Sequence, residues 1–461
     1  MTMLSRRLFL AAAAASAVRP SFAQVRTDFD FVVVGAGAAG IAAARRITAA
    51  NRRVVVLEAS NRIGGRCFTD TTTFGVPFDR GAHWLHMPDA NPVAKLAAAA
   101  KLDVYQAPPG QKVRIGRRNA REGELEDFLS SLVRANRAIG EAARKADVPC
   151  MQALPKDLLD WRPTIQFVLG PYGCSKDLNE VSAVDFSRST DRDSEAFCLQ
   201  GVGTLITRLA SGLTVRLSTP VTGFDLWLRG AIEVVTPRGR ITARAAIVTV
   251  STAVLAANKI KFDPELPKRH VDAFNGLKLG SYDHIALELP GNPLGLQRDD
   301  LVFEKSGDVR TGAILANVGG SELCLVAVGG KFGRDLAAQG EPAMVAFAQD
   351  WLAKLYGDDV KKAVKRTAAT QWNDDPWVMG GFSAAAPGAQ GARRTLMEPF
   401  RERLWFAGEA VHETLWGTVG GAWISGERAA EAAMRKFGFI APAPREEPKQ
   451  EPKQAPRRRR R

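Results

Sequence analysis

A glycine-rich turn after an apolar run is the sequence feature that most clearly could do chemistry. The run Phe31–Val34 predicts a buried strand, and Gly35-x-Gly37-x-x-Gly40 follows it directly. The Ala-rich residues Ile41–Ala50 then predict a helix. Gly35 permits a tight turn, Gly37 lets the backbone approach a diphosphate, and Gly40 lets the helix pack closely on the strand. The unpaired N–H groups at the start of that helix would face the diphosphate.

An acidic residue follows the next predicted strand. That strand, Arg53–Leu57, ends at Glu58, which lies 18 residues past Gly40. An acid at this spacing accepts hydrogen bonds from a ribose diol and disfavours a 2′-phosphate. This order of elements, in which a strand, the glycines and a helix precede a second strand and an acid, predicts a site for FAD or NAD. It disfavours NADP.

A second glycine pair favours FAD over NAD. Just after Glu58, the chain has Arg62, Gly64, Gly65 and Arg66. The glycines again allow close backbone approach, and the arginines can neutralise a diphosphate. A nicotinamide site does not need this second group of residues.

Later motifs, taken with this turn, give a family resemblance. The sequence resembles the flavin-dependent amine oxidases, which include the monoamine oxidases, the polyamine oxidases and the flavin histone demethylases. The resemblance covers nearly the whole chain after its first 23 residues. The matching segments are Gly81-Ala-His-Trp84-Leu-His86, Leu217-Ser-Thr-Pro-Val221, Ala246–Val250, Phe262–Pro267, Trp405-Phe-Ala-Gly408-Glu409, and Gly417–Ala422 with Ser425-Gly426.

This resemblance implies a set of residues that bind non-covalent FAD. The backbone of Val221 would hold the adenine, and Glu409 would bond the ribityl or phosphate region. The N–H of Val419 would meet the N1/O2 edge of the isoalloxazine, where the start of a helix stabilises the reduced anionic flavin. The complete set is Gly35, Gly37, Ala38, Gly40, Glu58, Ala59, Arg62, Gly64, Gly65, Arg66, Gly81, Ala82, His83, Trp84, Val221, Gly408, Glu409, Thr418 and Val419.

The resemblance also implies catalytic residues that wall the flavin face. Phe382 matches the first wall position, and Thr418 stands where many relatives have a second aromatic residue. Trp416 lies close enough in sequence to close the aromatic cage. Gly381 stands where monoamine oxidases have the Cys that links to flavin, which is why FAD is expected to be non-covalent. Plain core packing remains the alternative reading of Phe382 and Trp416.

Two histidines complete the catalytic set. The family has a Lys four residues after a Gly, and this chain has His284 four residues after Gly280; Lys278 is out of register. His284 could hold the family's water as a neutral imidazole or act as a base. The alternatives are a site that has lost this water, or a strand histidine bonded to backbone. His86 matches a substrate-contacting His of vertebrate polyamine oxidases.

The fold expected from these motifs is α/β. A discontinuous Rossmann-type FAD-binding domain is combined with an α+β substrate domain, as in amine oxidases. Residues 91–160 have helical spacing, whereas His284–Leu289 and Ala313–Val318 read as strands. The FAD domain is expected at 24–95, 195–270 and 390–440, and the substrate domain at 96–194 and 271–389.

Composition excludes several other classes of protein. The chain has 461 residues, 46% of them hydrophobic, which is normal for a globular protein and too apolar for a disordered one. Its net charge of +14 includes three positive charges in residues 1–23 and a net five in residues 441–461. The body is therefore only mildly basic, and nucleic acid is not an expected partner. The five Cys show no metal spacing, although an exported chain could pair Cys174 with Cys198.

Both ends of the chain carry signals of their own. Ser5-Arg6-Arg7-Leu8-Phe9-Leu10, an apolar run and a small-residue cleavage site before Gln24 resemble a twin-arginine export signal. An ordinary secretory signal or an amphipathic helix is the alternative. The apolar run is too short to span a bilayer, so no stable membrane anchor is expected. Residues 441–461 read as a disordered basic tail, and the location is expected to be periplasmic.

The expected activity is oxidation of a primary or secondary amine, polyamines included. The product would be an imine that hydrolyses to an aldehyde, with O2 reduced to H2O2. A dehydrogenase that uses a periplasmic cytochrome or quinone, an L-amino-acid oxidase and a flavin desaturase remain alternatives. The partners expected are the amine, the electron acceptor and the twin-arginine export machinery. The oligomeric state is left open, with a homodimer as one possibility.

Overall fold

The computed structural model describes residues 27–189 and 194–441. The predicted export signal at residues 1–23 and nearly all of the predicted tail lie outside these ranges.

Twenty strands are described. In chain order they are β1 (Phe29–Val34), β2 (Val54–Leu57), β3 (Thr69–Asp70), β4 (Phe78–Asp79), β5 (Leu85–His86), β6 (Val104–Gln106), β7 (Lys112–Ile115), β8 (Arg118–Asn119), β9 (Glu195–Cys198), β10 (Val215–Arg216), β11 (Gly223–Asp225), β12 (Ile232–Thr236), β13 (Gly239–Val248), β14 (Lys261–Asp263), β15 (Tyr282–Glu288), β16 (Asp300–Glu304), β17 (Ala313–Ala316), β18 (Leu323–Gly329), β19 (Thr367–Ala369) and β20 (Leu404–Phe406).

Fourteen α-helices accompany them in the described ranges. They are α1 (Ala38–Ala49), α2 (Pro92–Ala97), α3 (Glu122–Ala143), α4 (Cys150–Ala153), α5 (Arg162–Phe167), α6 (Ala183–Ser187), α7 (Val202–Leu209), α8 (Thr252–Ala256), α9 (Lys268–Gly276), α10 (Gly330–Ala337), α11 (Glu341–Tyr356), α12 (Asp359–Ala363), α13 (Ala392–Met397) and α14 (Val419–Lys436). Short 3-10 segments occur at Lys156–Trp161, Leu178–Glu180, Val318–Gly320 and Glu409–Val411, and a π-helical turn at Val168–Tyr172.

The first sheet is built around a parallel centre. Its order is β10-β2-β1-β13-β12-β11-β14, and β20 also pairs with β13. Both faces of β1 are covered, because Phe31 and Val33 pack against α1 and α14, whereas Val32 and Val34 join the opposite core. Burial on both faces explains the unbroken apolar run that predicts this strand. The carboxyl ends of β1 and β2 therefore lie at one edge of the sheet, where the glycine turn and Glu58 follow them.

The second sheet supplies the opposite wall of the site. Its order is β19-β15-β18-β17-β16-β7-β8. On β15, Ile285 and Leu287 face the core that includes α11, while Ala286 packs in a different core on the other face. Since side chains alternate along a strand, Tyr282 and His284 share the face of Ala286.

The expected α/β fold class is confirmed, with two local differences. Residues 91–160 are not helical throughout, because β6, β7 and β8 interrupt them and β7 joins the second sheet. The five Cys are buried, and no disulfide joins Cys174 to Cys198, which lie in separate hydrophobic cores, so the suggested disulfide between them is wrong. None of the described helices is both long enough and apolar enough to cross a membrane.

Candidate active site

A cavity of about 1450 Å³ runs between the two sheets. All five predicted catalytic residues line it, as do eighteen of the nineteen predicted cofactor residues. The exception is Gly40, which lies behind the turn, where a Cβ would come within 1.9 Å of the Gly35 carbonyl oxygen. Gly40 therefore serves the close approach of helix to strand rather than contact with a ligand.

The glycine turn presents free backbone donors to the cavity. Helix α1 begins after Gly37, and no side chain caps its first turn. Gly37 also forms a backbone bridge with Gly64, so the two glycine segments predicted from the sequence lie side by side. The N–H groups at a helix start carry partial positive charge and suit a diphosphate.

Glu58 is held in place by three short hydrogen bonds. Its Oε2 accepts from the Ala36 N–H at 2.6 Å, and its Oε1 accepts from the Ser60 N–H at 2.8 Å and the Ser60 hydroxyl at 2.9 Å. The carboxylate is thus fixed between the glycine turn and the end of β2. Ala59 and Val221 line the cavity beside it.

The two predicted arginines have different partners. Arg62 donates to the Gly65 carbonyl oxygen at 2.7 Å, and its guanidinium lies 4.3 Å from the ring centre of Phe68. Arg66 donates to the Gly381 carbonyl oxygen at 2.7 Å and to Glu409 at 2.9 Å. Arg66 therefore links the second glycine pair to the catalytic wall.

Glu409 organises the segment that carries the wall. Its Oε1 accepts from Arg66 and from the Ser383 N–H, and its Oε2 accepts from the Ser383 hydroxyl at 2.8 Å and the Gly417 N–H at 2.9 Å. Sequence reasoning assigns Glu409 to the ribityl or phosphate region of the cofactor. In the described residues this carboxylate accepts from four protein donors, which fix Ser383, next to Phe382, relative to Gly417. Its contact with the cofactor stays a prediction.

A buried ion pair supports the same segment from behind. Arg393 forms a bidentate pair with Asp185, both distances being 2.7 Å, and also donates to the Ser383 hydroxyl at 3.1 Å. Both side chains are at most 2% exposed. The Arg393 guanidinium lies 4.9 Å from the ring centre of Trp416, which lines the cavity. The orientation of Trp416 thus depends on charges that sequence reasoning does not detect.

Phe382 and Thr418 meet at the predicted wall. The Phe382 ring lies against Gly417, where a Cβ would come within 2.9 Å of a ring carbon. The Thr418 hydroxyl accepts from the Gly421 N–H at 2.9 Å and donates to the Leu415 carbonyl oxygen at 2.7 Å. Thr418 is therefore the N-cap of α14, and the side chain orders the helix start at which Val419 lines the cavity.

His284 lies on the opposite wall, on β15. Its Nδ1 is 3.2 Å from the Asp79 carbonyl oxygen. A carbonyl can only accept, so Nδ1 carries the proton and Nε2 is left as an acceptor in the neutral ring. Burial lowers the pKa of His284 to about 4, and the neighbouring His83 adds to the shift. Lys278, the out-of-register lysine, is exposed.

His83 is the immediate neighbour of this site. Its Nδ1 bonds to the Asp79 carboxylate at 2.9 Å, and the ring packs 4.6 Å from Phe197. Asp79 thus contacts both histidines, His83 through its side chain and His284 through its backbone. Gly81, Ala82 and Trp84 line the cavity around them.

Three further residues lining the cavity are missed by sequence reasoning. Tyr282 is two residues before His284 on β15, and this alternation would have placed it on the same face. Tyr172 ends a π-helical turn, which has no periodic pattern in the sequence. Glu195 bonds His86 at 2.9 Å across the β5–β9 pair, a contact between residues distant in sequence.

The donor chemistry of the cavity fits a flavin dinucleotide. Two helix starts, those of α1 and α14, open on one cavity, with the fixed acid Glu58 near the first and an aromatic wall near the second. Within the described ranges, no group of three or more His, Cys, Asp or Glu side chains could hold a metal ion.

Comparison with known proteins agrees with this geometry. The model of the flavin containing amine oxidoreductase family matches residues 38–434. The chain is 26% identical over 446 residues to polyamine oxidase 4 of Oryza sativa subsp. japonica, covering 88% of each chain. It is 28% identical to probable polyamine oxidase 4 of Arabidopsis thaliana, covering 88% of this chain and 86% of the other. Cyclohexylamine oxidase from Brevibacterium oxydans IH-35A has a similar fold, with a TM-score of 0.76, 20% identity, and coverage of 89% of this chain and 100% of the other.

The chain belongs to the flavin-containing amine oxidoreductase family. It is accordingly an oxidoreductase that acts on amine donors and uses a flavin cofactor.

Proposed function

We propose that the protein binds FAD non-covalently and oxidises a primary or secondary amine to an imine. The amine loses a hydride from the carbon beside its nitrogen and a proton from the nitrogen, which leaves an imine. Water then hydrolyses the imine to an aldehyde and releases ammonia or the remaining amine, and O2 takes up the two electrons with two protons and becomes H2O2. One observation carries this proposal. A single cavity is lined by the starts of two helices and by the side chains of Glu58, Phe382 and His284.

FAD supplies the two-electron acceptor when it is bound. The N–H groups at the start of α1 and the carboxylate of Glu58 suit its dinucleotide half, and the start of α14 suits its ring system. Gly381 and the thiol of Cys67 support non-covalent binding. Burial raises the pKa of Cys67 to about 12, which keeps this cavity-lining thiol protonated and unreactive.

The chain's own residues position the amine and exclude water. The rings of Phe382 and Trp416 form apolar walls that favour the uncharged amine. His284 can accept a hydrogen bond at Nε2 from a water molecule or from the amine, because Asp79 fixes the proton on Nδ1. The family resemblance implies these roles, and the placement of the side chains around one cavity supports them.

The acceptor is tested by stoichiometry. We expect each mole of amine consumed to yield one mole of aldehyde and one of H2O2 while one mole of O2 disappears. A dehydrogenase would instead reduce a quinone or cytochrome and leave O2 unchanged. An amino-acid oxidase would require the substrate's carboxylate for turnover.

Export is a separate proposal. The paired Arg6 and Arg7, the apolar run and the cleavage site before Gln24 support twin-arginine export to the periplasm. Cell fractionation of the full chain and of an Arg6→Lys, Arg7→Lys variant tests this. We expect the wild type in the periplasm and the variant in the cytoplasm. Equal export of both proteins would indicate an ordinary secretory signal.

A further inference from the structure

A histidine that does not line the cavity holds the loop between Glu409–Val411 and α14. The imidazole of His412 is half-buried, and its Nδ1 accepts from the Leu415 N–H at 3.0 Å and from the Thr414 N–H at 3.3 Å. Among the described residues, these two backbone N–H groups have no other acceptor. The ring therefore closes the loop in the way that the side chain of Asp or Asn closes an Asx turn.

This loop leads directly into residues of the cavity. Trp416 lines the cavity and is only 1% exposed. The Leu415 carbonyl oxygen accepts from the Thr418 hydroxyl at 2.7 Å, and Thr418 is the N-cap of α14. Gly417, with a φ of +71°, lies between them and donates to Glu409 at 2.9 Å. A displacement of Leu415 would therefore be passed on to Trp416 and to the start of α14.

The two hydrogen bonds fix the proton of the His412 ring. A backbone N–H can only donate, so Nδ1 must be the unprotonated nitrogen, and Nε2 carries the proton of the neutral ring. A doubly protonated imidazole has no acceptor. It would turn an N–H of its own towards the two donors of Thr414 and Leu415. The closed loop therefore requires a neutral His412.

The charges around His412 favour this neutral form. Burial lowers the pKa of His412, and Arg428 on α14 and Arg393 on α13 lower it further. Glu413 opposes the shift, and Glu413 is itself paired with Arg394. Because the pKa in the folded protein lies below the ordinary value of 6.5, the ring stays neutral at neutral pH and takes up a proton in acid.

We propose that neutral His412 is a positioning residue, which keeps Trp416 and the start of α14 in place for amine oxidation, and that protonation of His412 in acid releases the loop and slows reduction of the flavin. This inference rests on the proposed amine oxidation. His412 acts through the loop, since it does not line the cavity. Small displacements of groups that position a substrate are known to reduce rates strongly.

Two substitutions of His412 separate its role as acceptor from its titration. His412→Asn places an oxygen close to the position of Nδ1 and does not titrate, whereas His412→Leu offers no acceptor. Stopped-flow measurement gives the rate of anaerobic flavin reduction at saturating amine from pH 5 to pH 8. At pH 7.5 the rate should fall by roughly 10- to 100-fold in His412→Leu and should be largely retained in His412→Asn.

The pH profile is the result that a merely structural role would not produce. Between pH 7.5 and pH 5 the wild-type rate should fall by roughly threefold or more beyond the fall seen in His412→Asn. Protonation of the amine itself affects the wild type and His412→Asn alike, so the difference between them belongs to His412. Glu398→Gln removes an exposed acid that pairs with Arg269, and its profile should match that of the wild type.

The protonation of His412 can also be measured without turnover. The chain has only five His, so nitrogen NMR of the histidine-labelled holoprotein gives few signals, and His412→Asn identifies the one that belongs to His412. At pH 7.5 we expect an unprotonated Nδ1 and a protonated Nε2, with titration below pH 6.5. Flavin content and melting temperature of each variant report whether it is folded.

Three outcomes overturn the proposal, and they differ from failure of the proposed function. A protonated Nδ1 at pH 7.5, or an unchanged rate in His412→Leu, would remove the positioning role. An equal fall in acid in the wild type and in His412→Asn would remove the effect of protonation. If no amine reduces the bound flavin of the wild type at any pH, the proposed oxidation itself is wrong, and the NMR spectrum still decides whether His412 holds the loop.

Discussion

The imidazole of His284 donates from Nδ1 to the backbone carbonyl oxygen of Asp79 at 3.2 Å. This bond leaves Nε2 as an acceptor on the cavity side of β15. A lysine at the same position, as the family resemblance leads one to expect, would offer only donors when charged. The substitution therefore changes the hydrogen-bonding character of this wall, and the buried backbone bond keeps the imidazole in one tautomer.

His284→Ala should slow reduction or reoxidation of the flavin while FAD stays bound. General acid–base groups typically contribute about 100-fold or more, so a loss of that order is expected. Because burial lowers the pKa of His284 to about 4, the ring stays neutral from pH 5 to 9 and should add no limb to the rate profile there. Stopped-flow measurement of both half-reactions against pH checks this. If the rate of the wild type changed with a pKa near 6.5 and this change disappeared in the variant, the expectation of a neutral His284 would be wrong.

Acid should weaken the fold through the same residue. The folded pKa lies below the ordinary histidine value, so the unfolded chain takes up this proton first as the pH falls from about 6.5 towards 4. The free energy of unfolding should therefore fall over that pH range, and it should fall less in His284→Gln than in the wild type. Unfolding by urea at pH 7 and pH 5 measures the difference. An identical loss in both proteins would remove His284 as a cause.

Glu58→Ala should weaken retention of FAD. The variant loses the proposed acceptor for the ribose, and it loses the hydrogen bonds that fix the turn at Ala36 and Ser60. Each such contact is worth about 1–3 kcal/mol, so the dissociation constant should rise at least roughly tenfold. Flavin absorbance after dilution and gel filtration gives the retained fraction. Glu431→Ala, which removes a surface acid paired with Arg46, is the control; full retention in Glu58→Ala would contradict the assignment.

Acid precipitation should release all of the flavin. Gly381 offers no nucleophile, and the raised pKa of Cys67, about 12, keeps that thiol protonated. The supernatant should carry the yellow colour and the pellet should be white. A coloured pellet in the wild type that turns white in Cys67→Ala would show a covalent link to this cysteine instead.

Removing one partner of the Arg393–Asp185 pair should be costly. Asp185→Asn leaves a buried guanidinium without its counter-charge, and such losses cost about 3–5 kcal/mol. Asp272→Asn breaks the exposed Lys268–Asp272 pair and should cost less than about 1 kcal/mol. Thermal unfolding of both variants makes the comparison. A similar, small shift in both would mean that Arg393 finds other partners and that Trp416 does not depend on this pair.

The local elements of the cofactor half could be predicted from the sequence. The strand, glycine turn, helix and acid around Gly35 and Glu58 are contiguous, and each has its own propensity and period. The alternation that places His284 on the cavity side of β15 is equally local. The contacts that support the site are not local in sequence. Arg393 meets Asp185, and Glu409 meets Arg66, only after distant segments have folded together.

The substrate end could be predicted least. Glu195 and His86 become partners through the register of two short antiparallel strands, and Tyr172 reaches the cavity from a π-helical turn. Neither arrangement has a period that a single sequence displays. The same reason explains why helical composition in residues 91–160 did not reveal β7, whose place is set by pairing with β16.

Adding amines to the purified holoprotein without oxygen tests the proposed amine oxidation. Primary or secondary amines should bleach the visible absorbance of the bound flavin, aldehyde should appear in an amount equal to the flavin, and admitted air should restore the colour. Bound flavin that no primary or secondary amine bleaches, in a protein with full flavin content, would show that amine oxidation is not the activity of this protein.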